Sequence, residues 1–440
     1  MAWTRRWLLG VCITCALATS APPQTRFLSY TEAQEILAAF GRTEEPSAWD
    51  QWVRTEDREM RRRVDRGFED SISNLILYGI SFTRLPRLES ADAAVTATGE
   101  LVEAARARVR AFAAALAHPQ ANERLRFARE YLSRQGVQPR GVEAFLAANL
   151  TRYVMEQRAY QEKLRLASET GDGSQMLFAR ATLFESRGLS VDTSLLPNYA
   201  LEETLRVMVR KHALDPAHIR NIAVIGPGLD FSDKRDGYDF YPVQTIQPFA
   251  VLEAVVRLGV GDAGGLRLIT LDLNPAVNAH VRQTVERARA GTRYVLHLPH
   301  DPAADWTPQI VAYWKHFGEL IGSPIDSVRA PEGVTVRAIS VQPKYLSRIQ
   351  ARDLDVVGQI LEGEQFDLVV ATNILVYYDQ FRQALAMACI AQMMSSGGVF
   401  LSNTVLPARR PDTLEYLGRR SVSYSVSGSY GDDVVAYRRR

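Results

Sequence analysis

Residues 221–233 read "NIAVIGPGLDFSD" and decide how the rest of the chain is read. Ile222 to Ile225 is a short β-branched run that suits a buried strand, and it breaks at once into Gly226-Pro227-Gly228. Glycines at a strand's carboxyl end let the backbone take conformations closed to other residues and pass close to a ligand. The stretch therefore predicts the first strand of an α/β unit with a binding turn at its tip.

Working outward, strand and helix alternate. Pro248 to Leu258 forms an apolar helix stopped by Gly259, and Leu268 to Leu271 is a second strand-like run ending in Asp272. Asn274 and Pro275 cap and start the next helix, which stops at Gly291. Val334 to Ser340, Asp367 to Ala371 and Val399 to Ser402 are three more strand-like runs; between the last two lies a helix with Phe381, Leu385, Cys389 and Met393 on one face. This order predicts a doubly wound, mostly parallel sheet with ligands at the carboxyl ends of its strands. The tail "SVSYSVSGSYGDDVVAYRR" alternates with period two around Gly428 to Gly431 and predicts an antiparallel hairpin closing the sheet's edge.

Upstream the pattern is helical. Met60, Val64 and Phe68 recur every four residues, as do Leu101, Ala105 and Val109 before Phe112 and Leu116. Thr55 before Glu56 and Asp57 reads as a helix start, and Gly136 before Pro139 as a stop. The arginine-rich faces here read as solvated helix faces laced with ion pairs. The expected organisation is an export signal over 1–21, an all-α domain over 27–185, a linker over 186–198 and the α/β domain over 199–440.

Composition sets outer bounds. With 52 basic and 50 acidic residues interleaved in a chain of 440, the net charge of +2 gives no nucleic-acid footprint. The first residues, "MAWTRRWLLGVCITCALATSAPPQ", have the basic start, short apolar stretch and small residues of a cleavable secretory signal, and they are too short to anchor. Thr4 to Leu9 also resembles the twin-arginine export signal through Arg5 and Arg6. The expectation is an exported chain if this signal is used and a cytoplasmic one otherwise, with no membrane span after processing. Cleavage would remove Cys12 and Cys15 and leave only Cys389, which excludes an internal disulfide. His297, His300 and Asp301 read as polar loop groups, and no metal is expected.

The ligand at the glycine turn can be narrowed. Asp272 ends the second strand, where an acid takes both hydroxyls of a ribose. A dinucleotide site would open a helix at once on a third glycine, but Asp230, Asp233, Asp236 and Asp239 follow instead. Acids repel a pyrophosphate and suit a ligand carrying an ammonium and a sulfonium. On these residues, 199–440 resembles the class I S-adenosylmethionine-dependent methyltransferases. "IAVIGPGLD" is similar to their glycine-rich first motif, "LITLDLN" to the acidic second and "SSGGVFLSN" to the turn and strand after the fifth helix. "FDLVVATNILVYYD" resembles the fourth motif of the chemotaxis receptor glutamate methyltransferases at Asn373, Tyr377 and Tyr378.

The resemblance implies S-adenosylmethionine as cofactor, held by Gly226, Gly228, Asp230, Asp272 and Asn373. Asn373, Tyr377 and Tyr378 are the candidate catalytic residues, beside an acceptor that is a small molecule or a protein side chain. It departs from the family at Val224, where an acid is usual, and at Asp230, which replaces the third glycine. The alternative expectation is a non-catalytic nucleoside-binding or assembly module that keeps the fold.

Overall fold

The computed structural model describes residues 24–169, 187–190, 192–215, 218–231, 238–262, 264–406, 409–428 and 430–440. The expected export signal with Arg5, Arg6, Cys12 and Cys15, the acids Asp233 and Asp236, and part of the expected linker lie outside the described residues.

The central sheet grows from β2 (Asn221–Ile225). It pairs in parallel with β3 (Arg267–Asp272) on one side and with β9 (Phe366–Ala371) on the other. Beyond β3 lies β7 (Ile349–Asp353), and beyond β9 lies β10 (Met394–Ser402), both parallel to their neighbours. A C-terminal hairpin, β11 (Leu414–Ser423) and β12 (Gly431–Arg439), completes the sheet, with β12 antiparallel beside β10. The order is β11-β12-β10-β9-β2-β3-β7. The chain runs outward from β2 in one direction, returns and runs outward in the other, so a topological switch point lies between β2 and β9. This is a doubly wound, mostly parallel Rossmann-like sheet with an antiparallel C-terminal hairpin.

Side chains of a strand alternate between faces. Ala223, Ile225, Ile269, Leu271, Val369 and Ala371 enter one core, while Ile222, Val224, Leu268, Leu368 and Val370 enter the other. The second face is covered by α6 (Leu196–Arg210) and α7 (Gln247–Arg257). The first is covered by α11 (Gln380–Gln392) and by the N-terminal helices: α1 (Tyr30–Ala39), α2 (Pro46–Tyr78), α3 (Glu103–Ala117), α4 (Glu123–Arg134) and α5 (Val142–Glu169). Met60, Val64, Phe68, Ala105, Val109 and Phe112 are all buried in that shared core, as their spacing requires.

The N-terminal part is laced to the sheet domain at several points. β1 (Thr25–Phe27) pairs antiparallel with β8 (Gln359–Leu361). Phe381 of α11 meets Phe40 and Trp52 edge-on. Arg124 on α4 is buried with its guanidinium spent on the carbonyls of Asp230, Phe231 and Tyr241, the loop that follows β2.

Three expectations need correction. Thr55 does not start a helix: α2 begins at Pro46, and the Thr55 hydroxyl donates to Gln51 O one turn back. Val334 to Ser340 is a strand, but it belongs to a separate antiparallel sheet in which β6 (Thr335–Val341) lies between β4 (Tyr294–His300) and β5 (Gly322–Ile325). The main sheet's outer strand is instead β7, "IQARD", whose exposed Gln350 hides it from an apolar search. The two histidines are not loop groups either: both are buried on β4, with His297 stacked on Tyr241 and His300 on Trp306.

Because α1 to α5 share the core on one face of the sheet, a chain beginning at Asp192 would leave that core, which holds Ile225, Leu271 and Val369, with α11 but without its N-terminal helices. We expect it to be insoluble or molten, which soluble yield and near-ultraviolet circular dichroism would check. A soluble fragment with a cooperative melt would refute the shared core.

Candidate functional site

Register puts the strand tips at one height. Ile225 lies level with Leu271 and with Ala371, and Asp272 lies level with Asp353. Gly226 follows β2 at φ +63° and Gly228 at φ +64°, a region costly for residues with a Cβ. Gly226 has a second reason to lack one: an added Cβ would lie 2.1 Å from Ile374 Cδ1. Its own N–H donates to Leu271 O at 2.8 Å, which ties the turn to β3.

Asp272 projects from the end of β3 towards this turn. Its carboxylate accepts the N–H of Asn274 at 2.7 Å, and those of Gly228 and Leu273. Desolvation nevertheless lifts its pKa to about 7, with Asp353 nearby adding to the rise. Asn274 caps α8 (Pro275–Arg289), its side chain accepting from Ala276 N–H at 2.9 Å, so the acid sits where a helix begins.

A second buried acid, Asp355, follows β7. One of its oxygens accepts Val357 N–H at 3.0 Å, and the other is buried without a hydrogen-bond partner. Burial pushes its pKa to about 7; Asp57 and Glu56 add to the rise and Arg61 opposes it. Arg61 is itself held by Asp353 at 2.7 Å.

Asp272 and Asp355 line one cavity with Gly226, Gly228, Val277 and Ile374. Its cover comes from the N-terminal side, through Val64 of α2 and the short strap 187–190, with Tyr377 and Tyr378 closing the remaining wall. Arg63 pins these parts together: it donates to Arg187 O at 2.9 Å and Tyr377 O at 2.8 Å, and its own carbonyl accepts Leu189 N–H at 2.8 Å. The strap can cross α2 this closely only at glycines, since a Cβ on Gly67 would lie 1.7 Å from Leu189 O and one on Gly188 2.3 Å from Gly67 N. The free space left is about 50 Å3.

The structure thus brings Gly226, Gly228, Asp272, Tyr377 and Tyr378 to one cavity. Asp230 and Asn373 are not among its lining residues. Asp230 is buried elsewhere, accepting from the Tyr241 hydroxyl and the Gln244 amide, each at 2.9 Å. Asn373 is exposed at the tip of β9 with φ +58° and exchanges hydrogen bonds with Asn403, both 2.7 Å. Sequence reading missed Asp355, Ile374 and the covering Val64. Asp355 stood two places after an acid in "RDLD", but with β7 unrecognised nothing marked that position as a strand tip. Among the described residues no group of histidines, cysteines and acids could hold a metal, and no helix is long and apolar enough to cross a membrane.

No family model and no curated protein matches the chain. Among solved structures, it is similar to the N-methyltransferase NodS from Bradyrhizobium japonicum WM9 in complex with S-adenosyl-L-homocysteine. That match has 13% identity and a TM-score of 0.28, covering 60% of this chain and 97% of that one. It is also similar to the glycopeptide N-methyltransferase MtfA complexed with S-adenosyl-L-methionine (10%, TM-score 0.28, 57% and 96%). A third match is the magnesium protoporphyrin IX methyltransferase ChlM from Synechocystis PCC 6803 with bound S-adenosylmethionine (8%, TM-score 0.26, 63% and 97%). Scores this low carry no weight beside strand order and register, on which the fold rests.

Two outcomes follow from the site's packing. Asp355 holds its proton more tightly folded than unfolded, so the folded state binds the extra proton between about pH 4 and the folded value of about 7. Stability should therefore fall as pH rises through that window, by at most about 1.4 kcal/mol per unit for this group, and level off above it. Asp272 adds a slope of the same sign. Asp355→Asn should flatten the Asp355 part and melt higher than the wild type at pH 8 while matching it near pH 4, read by thermal denaturation; parallel curves would contradict this. Gly67→Ala should cost about 1–3 kcal/mol, the scale of overpacking, in a chemical denaturation series.

Proposed function

We propose that the cavity at the tips of β2, β3 and β7 binds S-adenosylmethionine and that the chain transfers its methyl group to an acceptor, a small molecule or a protein side chain. The observation that carries this reading is the placement of two acids, Asp272 after β3 and the half-satisfied Asp355 after β7, in one cavity with the glycine turn that follows β2 beside the sheet's switch point. The donor set fits the cofactor. Asp272 would accept from ribose hydroxyls, the unpartnered oxygen of Asp355 from the exocyclic amine of adenine, and Val277, Val356 and Ile374 would flank the base.

When bound, the cofactor supplies a methyl group already activated on a sulfonium. The protein's task is then to hold the acceptor in line and keep water out. Tyr377 and Tyr378 form the wall nearest β9 and would border the acceptor. Desolvation keeps the Tyr378 hydroxyl protonated, so it can donate a hydrogen bond and does not act as a phenolate base. Neither Asp230 nor Asn373 is assigned a role at the cofactor, since both are committed elsewhere.

About 50 Å3 of free space suits a water or two and not a nucleoside, so binding needs the cover of Val64 and the 187–190 strap to shift. The same observation favours a second reading, in which the chain keeps the fold and its acids in a sealed, non-catalytic domain. If the segment 1–21 directs export, the cofactor would have to travel aboard, which folded export by the twin-arginine route allows for one bound molecule.

Titration calorimetry of the purified chain with S-adenosylmethionine and its demethylated product tests the proposal. We expect binding that Asp272→Ala weakens by about 1.5–3 kcal/mol, the scale of a lost charged hydrogen bond. Asp355→Asn should weaken it by about tenfold while the protein stays folded. No binding by the wild type would favour the sealed reading, and binding of NAD alone would overturn both.

A further inference from the structure

A separate cleft of about 1730 Å3, sharing no lining residue with this cavity, opens between α4 on one wall and α8 on the other. Small-molecule pockets rarely exceed roughly 1,000 Å3, so the cleft is of a size for a chain segment. Six arginines line it: Arg126, Arg129 and Arg134 of α4, Arg140, Arg287 of α8 and Arg293. All six are exposed, and none forms an ion pair among the described residues. Elsewhere on the helical part arginines hold carboxylates, as Arg61, Arg66, Arg152 and Arg158 do.

Four acids, Glu123, Glu130, Glu143 and Asp326, share the cleft, so the six arginines are offset only in part. Glu123 accepts Val243 N–H at 2.8 Å, and Glu143 lies in the field of Arg110, outside the cleft. Below the charged rim the lining is apolar, with Leu116, Phe127, Val142, Leu229 and Ala276. On α8, Ala276, Ala279, His280, Gln283 and Arg287 recur at three- and four-residue spacing, so a whole helix face is turned to the cleft.

We propose that this cleft docks an acidic, partly apolar polypeptide segment of a partner protein, with carboxylates on the arginine rim and aliphatic side chains on the floor. Guanidinium forks suit carboxylates by paired hydrogen bonds, and arginine clusters are a recurring way to hold acidic motifs. A nucleic acid suits the cleft less well. An apolar floor offers little to a continuously charged phosphate backbone, whereas a polypeptide can set carboxylates on the rim and aliphatic side chains on the floor. The inference does not rest on the proposed methyl transfer.

The test is fluorescence anisotropy with the purified full chain and three labelled probes: a peptide of glutamates interspersed with leucine and serine, the same peptide with lysine for glutamate, and a thymidine oligonucleotide of equal charge to the acidic peptide. We expect the acidic peptide to bind at least tenfold more tightly than the other two and to weaken as salt rises. The double change Arg129→Glu with Arg287→Glu, one on each wall, should weaken it about tenfold or more. Arg62→Glu, on an exposed face outside the cleft, should leave it unchanged. Should the double variant melt early, Arg140→Glu alone provides a second reading. Binding unaffected by the cleft changes, acidic and basic peptides bound alike, or an oligonucleotide bound as tightly as the acidic peptide would each overturn the proposal.

Discussion

The in-register parallel pairing of β2 with β3 and β9 is the constraint on which everything above the sheet depends. With Ile225 level with Leu271 and Ala371, the residues that follow each strand emerge side by side. A slip of one residue would turn Ile225 and Leu271 to opposite cores and carry Asp272 away from the glycine turn. The site is thus a by-product of packing: the alternation that fills two cores also fixes where the acids stand.

The second dependency is the cover. A parallel sheet must be buried on both faces, and here one face is closed by helices that precede the domain in sequence. The joints between them are polar but satisfied. Arg124 donates to the carbonyls of Asp230, Phe231 and Tyr241, and Arg382 pairs with Glu56 at 3.0 Å; within the cover itself, Arg108 donates to the carbonyls of Ile76, Gly79, Leu85 and Pro86. A buried guanidinium is tolerable only with its donors used, so each of these residues demands one placement of one helix over one loop. Positioning the cover and shaping the cavity are therefore one task.

How much of this was legible follows from burial. β2, β3 and β9 are enclosed on both faces, so they read as plain apolar runs, and the glycines and Asp272 punctuate their ends. β7 lies at the sheet's edge with Gln350 exposed, and its weak signal concealed both the strand and Asp355 beyond it. Val334 to Ser340 alternates as a strand should, but alternation does not say which sheet a strand joins. Thr55 with its following acids mimics a helix start; only the length of α2 reveals that its hydroxyl bonds back along the same helix. Asp230 looked like a ligand acid because nothing local reveals that Tyr241 and Gln244 return to meet it.

The pairing of β1 with β8 bears on the order in which the protein can be finished. Thr25 also reaches Asp353 O across 328 residues of chain, so the first described strand waits for its partner until most of the polypeptide has been synthesised. On the ribosome the leading helices emerge early with the core-facing sides of α1 and α2 still bare, and the sheet that will cover them comes later. Contacts of such long range are slow to form, because the loop they close must be ordered first. A nascent chain of this design needs protection of its N-terminal helices at least until β8 has been made, and β1 can close on the sheet domain only then.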